Sequence, residues 1–515
     1  MRVVIFGVDG LTFRILHPLI ERGDLPNFAR LQREGVESEF ISTVPALTPP
    51  AWTSLVTGLK PAKHGVFDFW DFDLATPGSR PTPVTSRKGG KAIWNILSEY
   101  GKRVIVMNVP VTYPPEAVNG IMVSGLQTPG ISSSFTYPAT FKDELLQVIP
   151  NYRIDLKLDE TSPRYVDMVL DMTEKRIQLQ EHLLSEHAWD FAFLAYVGPD
   201  RLQHVAWDSI STLSHAATTY YRMLDDALGR VLARLTDDDV LFVASDHGFV
   251  GATNWIFINE YLRQHNLLSY GSPMATSRAK LVGYTREAAR KLGILNLMRQ
   301  GRKRYRRALG DEIVPKSQPE YYPSVRGVDW QHTRACVPSA SAFGAGYADV
   351  FMNADATEAD MEELRQALAA ERHPETGEPL ADAIYATDAF GIGPFRPPEE
   401  HLILAARTGM AFHLGIGRPS LWGPLDKIMG VHEKEGVFYA WGAGIRRGAQ
   451  IDPLQIYDLV PTALQALGIS VDEPFDGRVA QEVFAAETPA GDARHEDSLV
   501  VRKLKRLQSG AHPMP

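Results

Sequence analysis

The chain has 515 residues, 44% hydrophobic and 22% charged; this is the balance of a folded globular protein, with room for roughly two to four ordinary domains or one large enzyme domain carrying an insertion. A formal charge of −9 excludes a general nucleic-acid-binding face, which needs net basic surface to displace counterions from phosphates. Cys336 is the only cysteine, which excludes an internal disulfide and a cysteine metal cluster; any metal falls to Asp, Glu, His or hydroxyl groups.

The opening "MRVVIFGVDG" holds an apolar run too short for a secretory core and has no cleavage pattern after it. Nowhere are there about eighteen uninterrupted apolar residues, and a cytoplasmic protein is expected. The run reads as a strand ending at Asp9, an acid that caps a turn or helix or serves as a ligand. "PALTPPAWTSLVTG", Pro45 to Gly58, reads as a helix start, with Thr48 as N-cap and Pro49 at the first helical position, where a missing N–H costs nothing. In "VFDFWDFDL" the aromatic residues Phe67, Phe69, Trp70 and Phe72 read as core packing, with base stacking as the alternative. "RVIVMNVP" from Arg103 is another strand, leading into "NVPVTYPP" around Tyr113.

After a helical stretch from Pro163, "DFAFLAYVGPD" reads as a strand running into "PDRLQH". Asp200 and His204, four apart, share a face if the strand passes into a helical turn. They are either an ordinary i,i+4 pair or a carboxylate and imidazole able to chelate one divalent ion at about 2 Å. A second helix from Ala216 precedes "DVLFVASDHG", a strand ending in Asp246 and His247. Adjacent side chains converge only where the chain bends, which Gly248 permits. Without a bend the pair would lie charged beside a core; a metal would neutralise it, and a turn with an incidental histidine is the alternative.

From Tyr261 to Tyr347 the rhythm breaks. Between Arg278 and Arg307 stand eleven Lys or Arg and one acid, Glu287: a solvated helical insertion, a cap whose field draws an anionic substrate, or a membrane-surface helix. "DVFMNADA" then reads as a strand, "TEADMEELRQALAAE" as a helix with Thr357 as N-cap, "GVFYAWGAGI" as a strand and "IYDLVPTALQALGI" as a closing helix. The last thirty residues, with "RKLKR" at 502, read as a mobile tail. Buried strands alternating with amphipathic helices predict an α/β fold: a central, mostly parallel sheet covered by helices on both faces. Ligands of such sheets bind beyond the carboxyl ends of the strands, which would bring Asp9, Asp200, Asp246 and His247 to one edge. The division expected is a catalytic core of residues 1–260 and 346–485, a basic insertion or cap at 261–345, and a tail at 486–515.

An acid on the first strand, a hydroxyl at a helix start, Asp-xxx-His, Asp-His-Gly and "GVHEKEGVFYAWG" together resemble the alkaline phosphatase superfamily, in its branch of type I phosphodiesterases and nucleotide pyrophosphatases. "TPPAWTSLVTGLKPAKHGVFDF" is the other specific stretch. The resemblance implies that fold with a cap, and two divalent ions, usually zinc and sometimes manganese. Asp200, His204 and His432 would hold one ion, and Asp9, Thr48, Asp246 and His247 the other. Four oxygen donors and three imidazoles also suit zinc better than magnesium or calcium. The implied reaction is hydrolysis of a phosphodiester or phosphoanhydride, of nucleotide or sugar-nucleotide type, through phospho-Thr48. The partner expected is a small phosphorylated substrate. His64, in "KPAKHG", and His413, in "MAFHLGIG", are expected not to be ligands.

The chain departs from the family in one place. Nucleotide pyrophosphatases carry an asparagine three residues after the nucleophile, where this chain has Ala51; the Ala51 backbone N–H is then the expected donor to a phosphate oxygen. No formylglycine pattern marks a sulfatase. A phosphomonoesterase, a phosphomutase, or a non-catalytic homologue that keeps the metals are the alternatives, and bacterial phosphohydrolases or phosphomutases sharing "NVPVTYPP" and "GVDW" look closest.

Overall fold

The computed structural model describes residues 1–71, 82–158, 162–270, 328–338, 346–353, 356–395, 401–416, 418 and 420–485. The basic stretch Arg278 to Arg307, the tail at 486–515 and Phe72 lie outside these residues.

Five strands form the parallel centre of a ten-stranded sheet, in the order Val240–Ala244, Val3–Val8, Phe191–Tyr196, Val104–Met107, Gly120–Val123. Each is a short apolar run buried along its whole length or nearly so, as a sheet covered on both faces requires. Successive side chains of the first strand feed different cores: Val4, Phe6 and Val8 pack with the helices Tyr165–Glu186 and His215–Leu232, while Val3 and Ile5 pack with Trp52, Trp94 and Leu459. Period-two alternation thus serves two helical layers. The expected α/β architecture is what the chain adopts.

Beyond the parallel centre the sheet turns antiparallel. The strand Glu435–Gly442 inserts between Val240–Ala244 and Val36–Ile41, antiparallel to both. Among the described residues three smaller sheets lie outside, a two-stranded one of Trp70–Asp71 with Thr82–Pro83 and two larger ones. In one, Gly248–Ile256 pairs antiparallel with Trp422–Glu433; in the other, Tyr347–Met352 and His401–Ala406 form the middle of four strands. The four-stranded sheet shares its main apolar cluster with Ile256 to Leu268, and a smaller one, with Tyr347, Phe390 and Ile403, reaches Ala46 and Leu47 just before Thr48. The N-cap expected of Thr357 is present: its hydroxyl accepts from the Asp360 N–H at the start of the helix Glu358–Ala370. No helix among the described residues is long and apolar enough to cross a membrane.

Candidate metal centre

All seven residues singled out by the sequence meet at the carboxyl edge of the parallel strands. Asp9 follows the first strand, its N–H bonded to Tyr196 O at 2.8 Å, and the Asp200 N–H donates back to Asp9 O at 3.2 Å. Asp200 and His204 lie on the helix Gly198–Ser211, and the single turn between them brings Oδ2 within 3.1 Å of Nε2. Asp246 and His247 occupy the bend between Val240–Ala244 and Gly248–Ile256. His432 arrives from the far end of the sequence because strand register places it opposite Phe249. Its ring stacks on His247, centroids 3.7 Å apart.

The bend has a different cause from the one expected. Gly248 does not adopt the left-handed region; a Cβ there would sit 2.0 Å from the Glu435 carbonyl oxygen. Close approach of two backbones, rather than conformational freedom, requires the glycine. Gly10 is the residue that needs φ of +70°, and its N–H donates to Asp246 Oδ1 at 3.1 Å.

The helix begins at Thr48, with Leu47 as its N-cap, which corrects the expected capping role. A cap hydroxyl needs an N–H two or three residues on. Pro50 offers none, and the Ala51 N–H is already bonded to Leu47 O at 2.9 Å. The Thr48 hydroxyl is therefore free of capping duty and lies 3.5 Å from His247 Nε2. The same bond removes the Ala51 N–H as a phosphate donor. With Pro49 and Pro50 next, the Thr48 N–H is the donor in the first turn that no carbonyl of the helix can receive.

Electrostatics make the cluster unusual. Asp9, Asp200, Asp246 and His247 are at most 1% exposed. Burial, then the charges of Asp246 and Asp200, push the Asp9 carboxyl well above its ordinary range, and burial does the same to Asp246. Asp200 is also raised by burial, but His204 and His432 in their protonated forms, together with Arg201, outweigh this and hold it well below that range. Burial drives His247 and His432 down, toward neutral imidazoles. Asp9 Oδ1 and Asp246 Oδ2 are buried without any hydrogen-bond donor.

The histidine Nδ1 atoms complete the picture. That of His432 faces Ala46 O at 2.8 Å, that of His204 faces Gly430 O at 3.2 Å, and that of His247 faces Gly248 O at 3.2 Å. A carbonyl only accepts, so each Nδ1 carries the proton and each Nε2 presents a lone pair. Those lone pairs point at carboxylates and at each other: His204 Nε2 and His432 Nε2 are 2.9 Å apart, and His247 Nε2 is 3.2 Å from Asp246 Oδ2 and 3.6 Å from Asp9 Oδ1. Acceptor facing acceptor in a dry pocket is unfavourable without a cation between them, so the donor set fits divalent ions. Asp200, His247 and His432 form one group able to hold an ion, and Asp9, Asp246 and His247 another.

The flanking residues were not legible beforehand. Trp52 Nε1 donates to Asp9 Oδ2 at 3.1 Å. Arg201 Nη1 contacts Asp200 Oδ1 at 2.7 Å while its Nη2 contacts Asp155 Oδ2 at 2.9 Å. Gln203 Nε2 donates to Gly10 O at 2.6 Å. Phe249 packs against the rings of His204, His247 and His432. His64 stands apart, bonded to Ser54 Oγ at 2.9 Å and accepting from the Val66 N–H, and His413 accepts from the Gly415 N–H. Phe67 packs edge-on against Phe390.

A profile of the type I phosphodiesterase / nucleotide pyrophosphatase family matches residues 3–322. The chain belongs to this family. The family is metal-dependent, and this chain is a hydrolase acting on phosphoric ester bonds. Among solved structures, phosphonoacetate hydrolase from Sinorhizobium meliloti 1021 in complex with phosphonoformate is similar at 13% identity, covering 90% of this chain and 95% of that one, with a TM-score of 0.56. Murine ectonucleotide pyrophosphatase / phosphodiesterase 5, an inactive threonine-to-alanine variant in complex with AMP, is similar at 14% identity over 94% of this chain and 100% of that one, with a TM-score of 0.52. The human form matches at 14% identity over the same shares, with a TM-score of 0.51. These likenesses concern the fold. No curated protein sequence matches the chain.

Proposed function

We propose that this member of the family hydrolyses a phosphodiester or phosphoanhydride of nucleotide or sugar-nucleotide type, with Thr48 as the nucleophile and two divalent ions of zinc type. The observation that carries the reading is the set of three histidines whose Nδ1 atoms are tied to backbone carbonyls, so that three Nε2 lone pairs converge with three buried carboxylates beside the Thr48 hydroxyl. Asp200, His204 and His432 would hold one ion, and Asp9, Thr48, Asp246 and His247 the other. When bound, the ions would supply Lewis acidity, offsetting the carboxylates, acidifying the Thr48 hydroxyl and balancing charge on the leaving oxygen.

The chain's own part is placement. The helix Thr48–Thr57 aims its positive end at the substrate phosphate, and the Thr48 N–H is the donor left for a nonbridging oxygen. Thr48 Oγ1 attacks phosphorus, the bond to the leaving oxygen breaks, and water then cleaves phospho-Thr48. The inactive threonine-to-alanine variant of the murine neighbour is in keeping with a threonine in this role. In the same reading residues 1–260 and 346–485 form the catalytic unit, with 261–345 as a basic insertion or cap.

The test is metal content together with hydrolysis of bis-p-nitrophenyl phosphate, p-nitrophenyl phosphate and a panel of nucleotide and sugar-nucleotide esters, by the wild type and by Thr48→Ala. The reading requires bound zinc or manganese, faster turnover of diesters than of monoesters, and loss of turnover in the variant with metal retained. Metal binding without turnover of any substrate would sink it, and a monoester preference would move the chain to the phosphomonoesterase alternative.

A further inference from the structure

A second cluster of ligating side chains lies at the opposite edge of the sheet. Glu144 is in the first turn of the helix Phe141–Val148, His182 is near the end of the helix Tyr165–Glu186, and His187 follows that helix directly. His187 precedes the amino end of the strand Phe191–Tyr196, whereas Asp200 follows its carboxyl end. At about 3.3 Å per residue, that six-residue strand puts the two clusters on the order of 20 Å apart.

Glu144 Oε1 is 2.7 Å from His182 Nε2 and 2.9 Å from His187 Nε2. Both imidazoles therefore aim the same nitrogen at one carboxylate oxygen. Their orientation is fixed from below by Phe141, which is 2% exposed, stacks on His182 and meets His187 edge-on. The Glu144 side chain is 42% exposed, so the cluster opens to water on one side. Two helices and one buried ring thus hold three ligand atoms around a single point that solvent can reach.

The geometry points to a peripheral binding site for one zinc-type divalent ion, held by Glu144, His182 and His187 with water in the fourth position. Two imidazoles and a carboxylate are a ligand set that zinc accepts in four-coordinate geometry, whereas magnesium and calcium prefer all-oxygen shells. Bonds of about 2.0–2.1 Å set tetrahedral ligand atoms roughly 3.3 Å apart, so the present contacts need to open by only about half an ångström. To ligate through Nε2 each imidazole must carry its single proton on Nδ1, so protonation of the ring competes with the metal and binding is opposed by acid. The ion would tie the helix Phe141–Val148 to the end of Tyr165–Glu186, a clamp remote from the hydrolytic chemistry.

The experiment compares the full-length wild type with Glu144→Gln and His182→Gln, substitutions of similar size that leave the catalytic cluster intact. Each protein is equilibrated with the same low concentration of free zinc, and bound zinc and melting temperature are measured. The site requires each variant to hold one equivalent fewer than the wild type, to lose a zinc-dependent rise in melting temperature of several degrees, and to keep the wild-type rate on bis-p-nitrophenyl phosphate. Equal zinc content in wild type and variants overturns it. Because the comparison is a difference, it stands apart from how many ions the catalytic cluster holds.

Discussion

Trp52 donates its indole N–H to Asp9 Oδ2 across 3.1 Å, from the second turn of the helix that begins at Thr48. One helix thus supplies both the proposed nucleophile and the group that orients an acid of the candidate metal centre. Partners behind a metal ligand tune its basicity and aim, and losing one costs about 10–100-fold in affinity or activity. Trp52→Phe keeps the ring in the core against Phe193 and removes only the donor. A fall of about tenfold in kcat/KM, with metal affinity weakened and little change in melting temperature, is expected; activity equal to wild type would show that Asp9 needs no such support.

Thr48→Ala tests the chemistry more directly. The hydroxyl makes no capping bond, so the helix loses nothing by its removal. Turnover should drop by at least about a thousandfold while melting temperature and bound metal stay near wild type. Thr48→Ser should keep a measurable part of the rate, since the attacking oxygen is retained.

Arg201 links Asp200 to Asp155 in a buried chain of charges. Asp155→Asn would leave the guanidinium balanced by Asp200 alone, and one-sided loss of a buried ion pair costs about 3–5 kcal/mol. A lower denaturation midpoint is expected, together with weaker metal retention, because Asp200 would be drawn more tightly to Arg201. Unchanged metal retention would show that Arg201 neutralises Asp155 without steering Asp200.

Removing metal with a chelator should make stability depend on pH in a particular direction. Burial and mutual repulsion raise the carboxyls of Asp9 and Asp246, so the folded ion-free protein holds protons that the unfolded chain releases near pH 4. Their contribution is greatest below that pH and is lost as pH rises through the raised values. Below about pH 6.5 the lowered imidazoles of His247 and His432 act in the opposite sense, so the fall in melting temperature of chelated protein with rising pH is expected above about 6.5, and zinc should restore it. A chelated protein indifferent to pH would argue that the carboxylates are relieved in some other way.

At the amino edge the sign reverses. The Asp239 carboxyl is raised by burial, but its hydrogen bonds with Arg2 and Thr236 prevail and bring it down to about 2. It ties the first strand to Val240–Ala244 through Arg2 Nη2 at 2.7 Å. This contribution is fully present above the ordinary carboxylate pKa of about 4 and is lost as pH falls toward 2. With Arg2 partly exposed to screening, Asp239→Asn should cost about 1–2 kcal/mol at neutral pH, and the difference from wild type should vanish in urea titrations run in acid.

Much of this site could be read in the sequence because strand ends announce themselves. An apolar run that stops at Asp9, or at Asp246 and His247, has to stop at the sheet edge, and the topology rule then gathers those ends. His432 carried no such signal of its own and was placed by the resemblance; its position depends on the register of Trp422–Glu433 against Gly248–Ile256. Trp52 looked like core because it is core, and its single polar atom matters only through a partner 43 positions away. The capping role assigned to Thr48 failed for a local reason: with a proline at position 50 and the Ala51 N–H already bonded to Leu47, the hydroxyl had no donor to receive.

The strand Glu435–Gly442 lies inside the sheet, between Val36–Ile41 and Val240–Ala244, both of which come far earlier in the sequence. During synthesis those two earlier strands must therefore wait with open edges until the segment beyond position 430 has left the ribosome. The cluster inherits the same timing, since His432 stands three residues before that strand. No shorter amino-terminal fragment can assemble the full set of proposed ligands. Unpaired edges held open for so long favour sticking to other chains, so recombinant yield should respond to slower growth and to chaperones more than to any single substitution on the surface.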